Sequence, residues 1–208
     1  MIRVMMVDDH AMFREGVKQV LSKSPDIRVT HEAGSAEAFR DALAPGIFDV
    51  ILLDLKLSDG NGLSLIQEAK AASKGVIVLS AMGHVRYVMH ALHEGADGYV
   101  VKGEEFSELE DAVRSVAAGK KYICASVSPR LVECLSDAGA GDGLDRLSKR
   151  EFRVLVLSAS GLSLKEIGHD LGINDKTVST YRTRMMSKLK LNSTADLVRY
   201  AIEQGLIE

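Results

Sequence analysis

Two adjacent carboxylates, Asp8 and Asp9, close an apolar run in the stretch "VMMVDDHAMF". A third, Asp54, ends "VILLDL". A hydroxyl, Ser80, ends "VIVLSA", and an ammonium, Lys102, follows "GYVV". Like charges gathered at the end of a buried segment are unfavourable unless a cation sits among them. Three carboxylates suit a hard divalent cation, Mg²⁺ before others. Lys102 brings a second positive charge. A phosphoryl group placed beside such a metal would find its oxygens claimed by Mg²⁺, Lys102 and Ser80.

Those residues must be brought together by the segments that carry them. Apolar runs at Ile2–Val7, Ile27–His31, Val50–Leu53, Val76–Leu79 and Gly98–Val101 read as strands. Amphipathic stretches at Ala11–Leu21, Ala36–Leu43, Leu63–Ala72, Val85–His93 and Glu105–Ala117 read as helices. Five β–α units predict an α/β, doubly wound, five-stranded parallel sheet covered on both faces. Ser35 precedes one helix as a cap, and Glu104 and Glu105 fall in the first turn of another. Ligands of open parallel sheets bind beyond the carboxyl ends of the strands, where all five polar residues lie.

The 208 residues carry a net charge of −3, unevenly spread. Residues 1–120 hold 13 Lys/Arg against 18 Asp/Glu, and residues 147–208 hold 10 against 7. An acidic front and a basic back predict two domains with different partners. An apolar fraction of 46% is enough for sizeable cores. Cys124 and Cys134, with no CxxC, read as reduced thiols of a cytosolic protein. No run approaches the roughly 18 apolar residues of a membrane span. The first carboxylates come too early for a signal peptide. The expectation is a soluble, cytoplasmic chain without membrane contact.

"SDAGAGDGLDR", 136–146, is Gly-, Asp- and Ala-rich without periodicity and reads as linker; "SPRLVECL" before it is a candidate short helix. "GAGDG" lacks both the preceding strand and the GK[ST] of a phosphate loop. The expected division is 1–120, a linker at 121–146, and an all-α, four-helix domain at 147–208. Ser148 caps "KREFRVLVLSAS", which Gly161 ends. "SLKEIGHDLG" stops at Gly172, and a basic helix runs from Asp175 to about Lys190. Two helices joined by a tight Gly-containing turn form a helix-turn-helix. Residues 174–190 hold 5 Lys/Arg against 1 Asp. Val178, Met185 and Leu189 share a face packed on Val154, Leu157, Ile167 and Leu171. Lys176, Ser179, Thr180 and Thr183 share another. Small hydroxyls approach base edges closely, while Lys and Arg reach phosphates.

Residues 1–120 resemble the receiver domain of two-component response regulators, with Asp8, Asp9, Asp54, Ser80 and Lys102 at its five signature positions. Residues 147–207 resemble the LuxR-type helix-turn-helix through "LSKRE", "GLSLKEIGHDLGI", "KTVSTYRTRMMSKLKL" and "ADLVRYAIEQGL". The whole chain is similar to the NarL/FixJ family, most of all its GacA- and BvgA-like branch. The resemblance implies a CheY-like, flavodoxin-like receiver whose phosphoacceptor is Asp54. Asp9 is then a direct Mg²⁺ ligand, Asp8 a ligand through water, and the Lys56 backbone carbonyl completes the set. Ser80 follows the phosphoryl group and Tyr99 swings inward behind it. In the second domain Ser179, Thr180 and Thr183 face the major groove. Lys176, Thr177, Arg182, Arg184 and Lys188 are candidate phosphate or stabilising contacts. The implied partners are a sensor histidine kinase, a double-stranded DNA operator and a second copy of the chain on phosphorylation, with RNA polymerase a further candidate. Such a protein promotes its own Mg²⁺-dependent phosphorylation and loses the group slowly, without being a turnover enzyme. Two positions depart from the family: Ser58 and Gly103 stand where Pro is usual, so a more mobile loop and a trans Lys102–Gly103 bond are expected.

Other readings fit less well. A phosphohydrolase working through an aspartyl phosphate needs a second Asp two residues on, where this chain has Lys56. No GxGxxG follows the first strand, against a dinucleotide domain. A module that controls only protein partners would not need the basic helix. His10 reads as a surface residue opening a helix, and His90 with His93 lacks a third metal ligand. One recognition helix specifies only a few base pairs, so two copies on half-sites about 10 bp apart are expected. Leu197, Tyr200, Ala201 and Gln204, on the last helix, are the candidate surface for pairing.

Overall fold

Strand residues two apart point to the same side of a sheet, and here both sides are apolar. The computed structural model describes residues 1–43, 47–81, 83, 85–136, 143–204 and 206–207. The described chain divides into two compact units, 1–83 with 88–129, and 130–208 with 84–87.

Along residues 1–123 the order is β1 (Ile2–Val7), α1 (Ala11–Leu21), β2 (Ile27–Ala33), α2 (Ala36–Ala42), β3 (Phe48–Asp54), β4 (Lys56–Leu57), β5 (Gly60–Asn61), α3 (Gly62–Ala72), β6 (Ser73–Ser80), α4 (Val85–His93), β7 (Gly98–Val101), α5 (Phe106–Ala117) and β8 (Tyr122–Ile123). The main sheet has the order β2-β1-β3-β6-β7-β8, parallel throughout. It is six-stranded, not five. The added strand, Tyr122–Ile123, is two residues long. It is held because Tyr122 N donates to Asp97 O and Cys124 N to Tyr99 O, both at 3.0 Å. Two residues are too short to show a period, which is why the sequence did not give the strand away.

One face of the sheet, with Val4, Met6, Val50, Leu52, Ile77 and Leu79, packs on Val17 and Leu21 of α1 and Leu109, Ala112, Val113 and Val116 of α5. The alternate residues Met5, Ile51, Leu53, Val76 and Val78 face the other way and are equally buried. Each such side chain contributes about 1.5–3 kcal/mol by leaving water, so register is fixed from both faces. All four strand ends that carry the polar residues are therefore anchored. Glu105 is the N-cap of α5 and Glu108 the acidic residue of its first turn, one turn later than expected.

From residue 128 on come α6 (Ser128–Ser136), the short helix anticipated in "SPRLVECL", a 3₁₀ turn at Gly143–Arg146, and α7 (Lys149–Ala159), α8 (Leu164–Leu171), α9 (Asp175–Leu189) and α10 (Thr194–Glu203). The expected linker is thus shorter at its end: Leu144 is buried in the 3₁₀ turn. Residues 137–142 lie outside the described residues, as does the side chain of Cys134; Cys124 is a buried free thiol. Ser148 and Ser163 each form a capping box, with Glu151 and Glu166 respectively. Asn174 accepts from Thr177 N at 2.7 Å and opens α9. Val154, Leu157, Ile167, Leu171, Val178 and Met185 are buried together as this domain's core. No helix among the described residues is long and apolar enough to cross a membrane.

Candidate phosphoryl and DNA sites

β1, β3 and β7 deliver Asp8, Asp54 and Lys102 to one end of the sheet. Lys102 Nζ donates to Asp54 Oδ2 at 2.6 Å and lies 2.7 Å from Asp8 Oδ2. Phe13, from the first turns of α1, puts its ring 4.8 Å from the same ammonium. His10 N donates to Asp8 Oδ1 at 2.8 Å and Lys56 N to Asp54 Oδ1 at 3.1 Å. Asp8 and Asp54 are almost wholly buried, at 0% and 2% exposure. Burial raises the Asp54 carboxyl above the usual range, against the pull of Lys102. Burial alone would lower the Lys102 ammonium, but Asp54 and Asp8 outweigh it and the net shift is upward.

Ligand atoms of Asp8, Asp9, Asp54 and His10 lie within 4.8 Å of one another. Three carboxylates against one ammonium leave an excess of negative charge at a nearly dry spot. Oxygen donors of this kind fit a hard divalent cation, so the residues present suit Mg²⁺. His10 was read as a surface residue. It is the exposed N-cap of α1, yet its Nδ1 also reaches within 2.7 Å of Asp9 Oδ1. Its place directly after the acid pair was the available signal.

Ser80 is buried at the end of β6. Tyr99 is fully buried and hydrogen-bonded to Ser80; burial pushes its hydroxyl well above the ordinary tyrosine value. The ring therefore already lies inward, where an inward swing had been expected. His90 and His93 stand with ring centroids 6.4 Å apart on α4 and do not join the acidic group.

The two positions without Pro differ in how they are held. Gly103 has φ +101°, which proline cannot adopt, and no described peptide is cis. The loop carrying Ser58 is tied at both ends. β4 and β5 pair antiparallel within it. Asp59 accepts from Ala36 N at 2.8 Å and Glu37 N at 3.1 Å, the first amides of α2, while Ser35 accepts from Ala38 N. Gly62 closes the loop; a Cβ there would collide with Asp54 O and sit 2.6 Å from Leu55 Cα.

On α9 the exposed residues are Asp175, Lys176, Ser179, Thr180, Thr183, Arg184, Ser187 and Lys188. Ser187, eleven residues or about three turns after Lys176, sits on the same face and was missed. Thr177 Oγ1 donates to Asn174 Oδ1 at 2.8 Å, making it part of the cap. Arg182 donates to Thr194 Oγ1 at 2.8 Å, and Lys188 Nζ to the buried Glu151 Oε2 at 2.6 Å. Both cations tie α9 to its own domain. Leu197 and Ala201 of α10 are buried, so they cannot form a pairing surface; the apolar stripe toward solvent is Ala195 and Ile202, exposed, with half-buried Val198 between them, Ile202 being 51% exposed.

Residues 4–114 match the response regulator receiver domain and residues 145–201 the bacterial regulatory proteins of the luxR family. The chain is 36% identical over 200 residues to the nitrate/nitrite response regulator protein NarL of Escherichia coli K12, covering 93% of this chain and 91% of that one. It is 33% identical to the oxygen regulatory protein NreC of Staphylococcus aureus, each covered in full. Among solved structures it resembles RcsB of Salmonella enterica serovar Typhimurium bound to the promoter rprA with the phosphomimetic BeF3⁻. The TM-score is 0.77 at 26% identity, over 96% of this chain and 97% of that one. With both domains matched in order and relatives aligned almost end to end, the chain belongs to the NarL/FixJ family of two-component response regulators.

Proposed function

We propose that Asp54 accepts a phosphoryl group from a histidine kinase and that the phosphorylated chain binds operator DNA as a homodimer through α9. The observation that carries the first half is the Lys102 ammonium held between Asp54 and Asp8 at 2.6 and 2.7 Å. An ionised Asp54 oxygen attacks phosphorus. The O–P bond of an acyl phosphate forms, the N–P bond to the kinase's phosphohistidine breaks, and the imidazole leaves. Lys102 and the Lys56 N–H favour the ionised carboxylate against its burial and orient it for that attack. Asp8, Asp9 and Asp54, with the Lys56 carbonyl, would hold Mg²⁺, which supplies the positive charge that lets two anionic groups meet. Ser80 and the Tyr99 hydroxyl bonded to it are placed to follow the new oxygens. Lys56 stands where a phosphohydrolase carries its acid–base Asp, and an ammonium cannot take a proton from an attacking water, so the chain acts as a stoichiometric phosphoacceptor and not a turnover enzyme.

Pairing on DNA is supported by the apolar Ala195–Val198–Ile202 stripe of α10, and by RcsB, which has been seen as two dimers bound to two parallel DNAs. Incubation with a small-molecule phosphodonor and Mg²⁺ should phosphorylate the wild-type chain, and Asp54→Asn should take up nothing. Sedimentation of the phosphorylated chain on operator DNA should give two copies per site. Uptake by the Asn variant at the wild-type rate would overturn the site assignment, and a strictly monomeric complex would overturn the dimer.

A further inference from the structure

We infer that α9 reads A·T base pairs through Thr180 and Thr183, each offering a lone pair and a methyl group, and does not use them to donate to guanine. The inference rests on the DNA-binding role proposed for α9. Thr180 Oγ1 donates to Lys176 O, and Thr183 Oγ1 donates to Ser179 O, both at 3.0 Å. Both side chains are exposed, on the face that also carries Lys176 and Ser187.

A hydroxyl has one proton and two lone pairs. Once its proton is given to the carbonyl four residues back, what the oxygen offers a partner is acceptance. With the oxygen tethered to the backbone, the γ-methyl is the other heavy atom of the side chain able to meet a base. In the major groove an A·T pair presents an amino donor on adenine N6 and a methyl on thymine C5; a G·C pair presents the acceptors N7 and O6 on guanine and an amino donor on cytosine N4, but no methyl. An acceptor can answer either amino group, so it is acceptor and methyl together that match A·T and leave guanine unanswered. Donors for guanine exist on this helix in Lys176, Arg184 and the exposed hydroxyls of Ser179 and Ser187. The two threonine positions are therefore set for A·T and their neighbours for phosphate or guanine.

The test begins by selecting duplexes from a randomised pool with the full-length chain, a small-molecule phosphodonor and Mg²⁺. The selected site is then altered one atom group at a time. Replacing thymine by uracil removes the methyl, and replacing adenine by purine removes the amino group. Each change should weaken the wild-type chain about fivefold, the scale of one lost contact. The uracil penalty should vanish in Thr183→Ser, which has no methyl, and the purine penalty in Thr183→Val, which has no lone pair. Selection of G·C beneath Thr183, or penalties equal in the wild type and both variants, would overturn the inference. Failure of the wild type to bind any duplex in a salt-dependent way would instead remove the DNA-binding role, and this reading with it.

Discussion

Replacing Asp54 by Asn should make the metal-free protein more stable. The Lys102 ammonium at 2.6 Å attracts the Asp54 carboxylate by about 6 kcal/mol at an effective dielectric constant of about 20. The ligand oxygens of Asp8 and Asp9 lie within 4.8 Å of that of Asp54, so each repels it by at least about 3.5 kcal/mol. Attraction and repulsion nearly cancel, and the cost of burying the charge stands, in keeping with the upward shift of its carboxyl. The Asn variant removes that charge while Lys102 keeps Asp8 at 2.7 Å. Against this, one amide oxygen must serve two donors, Lys56 N and Lys102 Nζ, at a cost of roughly 1 kcal/mol. The desolvation relieved, several kcal/mol, exceeds that loss, so a net gain of at least about 1 kcal/mol is expected. Urea unfolding followed by circular dichroism, at neutral pH with chelator present, would measure it as a shifted midpoint at unchanged slope. Added Mg²⁺ should stabilise the wild type by about 2.7 kcal/mol at a hundred times its dissociation constant and the variant by less, narrowing or reversing the order. A variant less stable than wild type by more than about 1 kcal/mol without metal would refute the cancellation.

Gly62→Ala forces a Cβ against the backbone of Asp54 and Leu55; a loss of about 3 kcal/mol or more and slowed phosphorylation are expected, read by unfolding and by phosphate uptake. Glu151 is held below the ordinary glutamate range because Lys188 and the Ser148 amide overcome its burial. Its contribution is whole above that range and is lost as pH falls through the depressed value. The stability gap between wild type and Glu151→Gln should therefore close on acidification, as followed by thermal unfolding from pH 7 to pH 3. Lys176→Ala should weaken binding to specific and random duplexes alike and reduce the log–log salt slope by about one, whereas Lys188→Ala, whose ammonium is committed to Glu151, should act mainly on stability.

The sequence made the strand ends legible because burial on both faces leaves runs such as "VILLDL" unbroken up to the first polar residue, and function begins there. The same logic set Val178 and Met185 inside the second domain and Thr183 outside. It could not reach Tyr122–Ile123, whose strand character comes from its bonds to Asp97 and Tyr99 and from nothing local. The face of α10 was read one position off. Leu197 and Ala201 fit a helical stripe equally well as core or as interface, and only packing against α7 decides between them. Arg182 and Lys188 were candidates for phosphate or stabilising contacts by charge, and only the fold shows that partners 12 and 37 residues away engage them. Asp59 was silent for the same reason: its two partners lie 23 and 22 residues earlier.

That last link gives the protein an isotope-exchange clock. The leading amides of a helix have no carbonyl partner within it and would otherwise trade hydrogen with solvent freely. Ala36 and Glu37 are shielded by a carboxylate that belongs to the loop after Asp54, while Ala38 is shielded by its neighbour Ser35. Deuterium uptake at 36 and 37 therefore times the opening of the phosphoacceptor loop, and uptake at 38 times only the fraying of α2. Any event at Asp54 that loosens or tightens the loop becomes a change in two amide half-lives measured against a third.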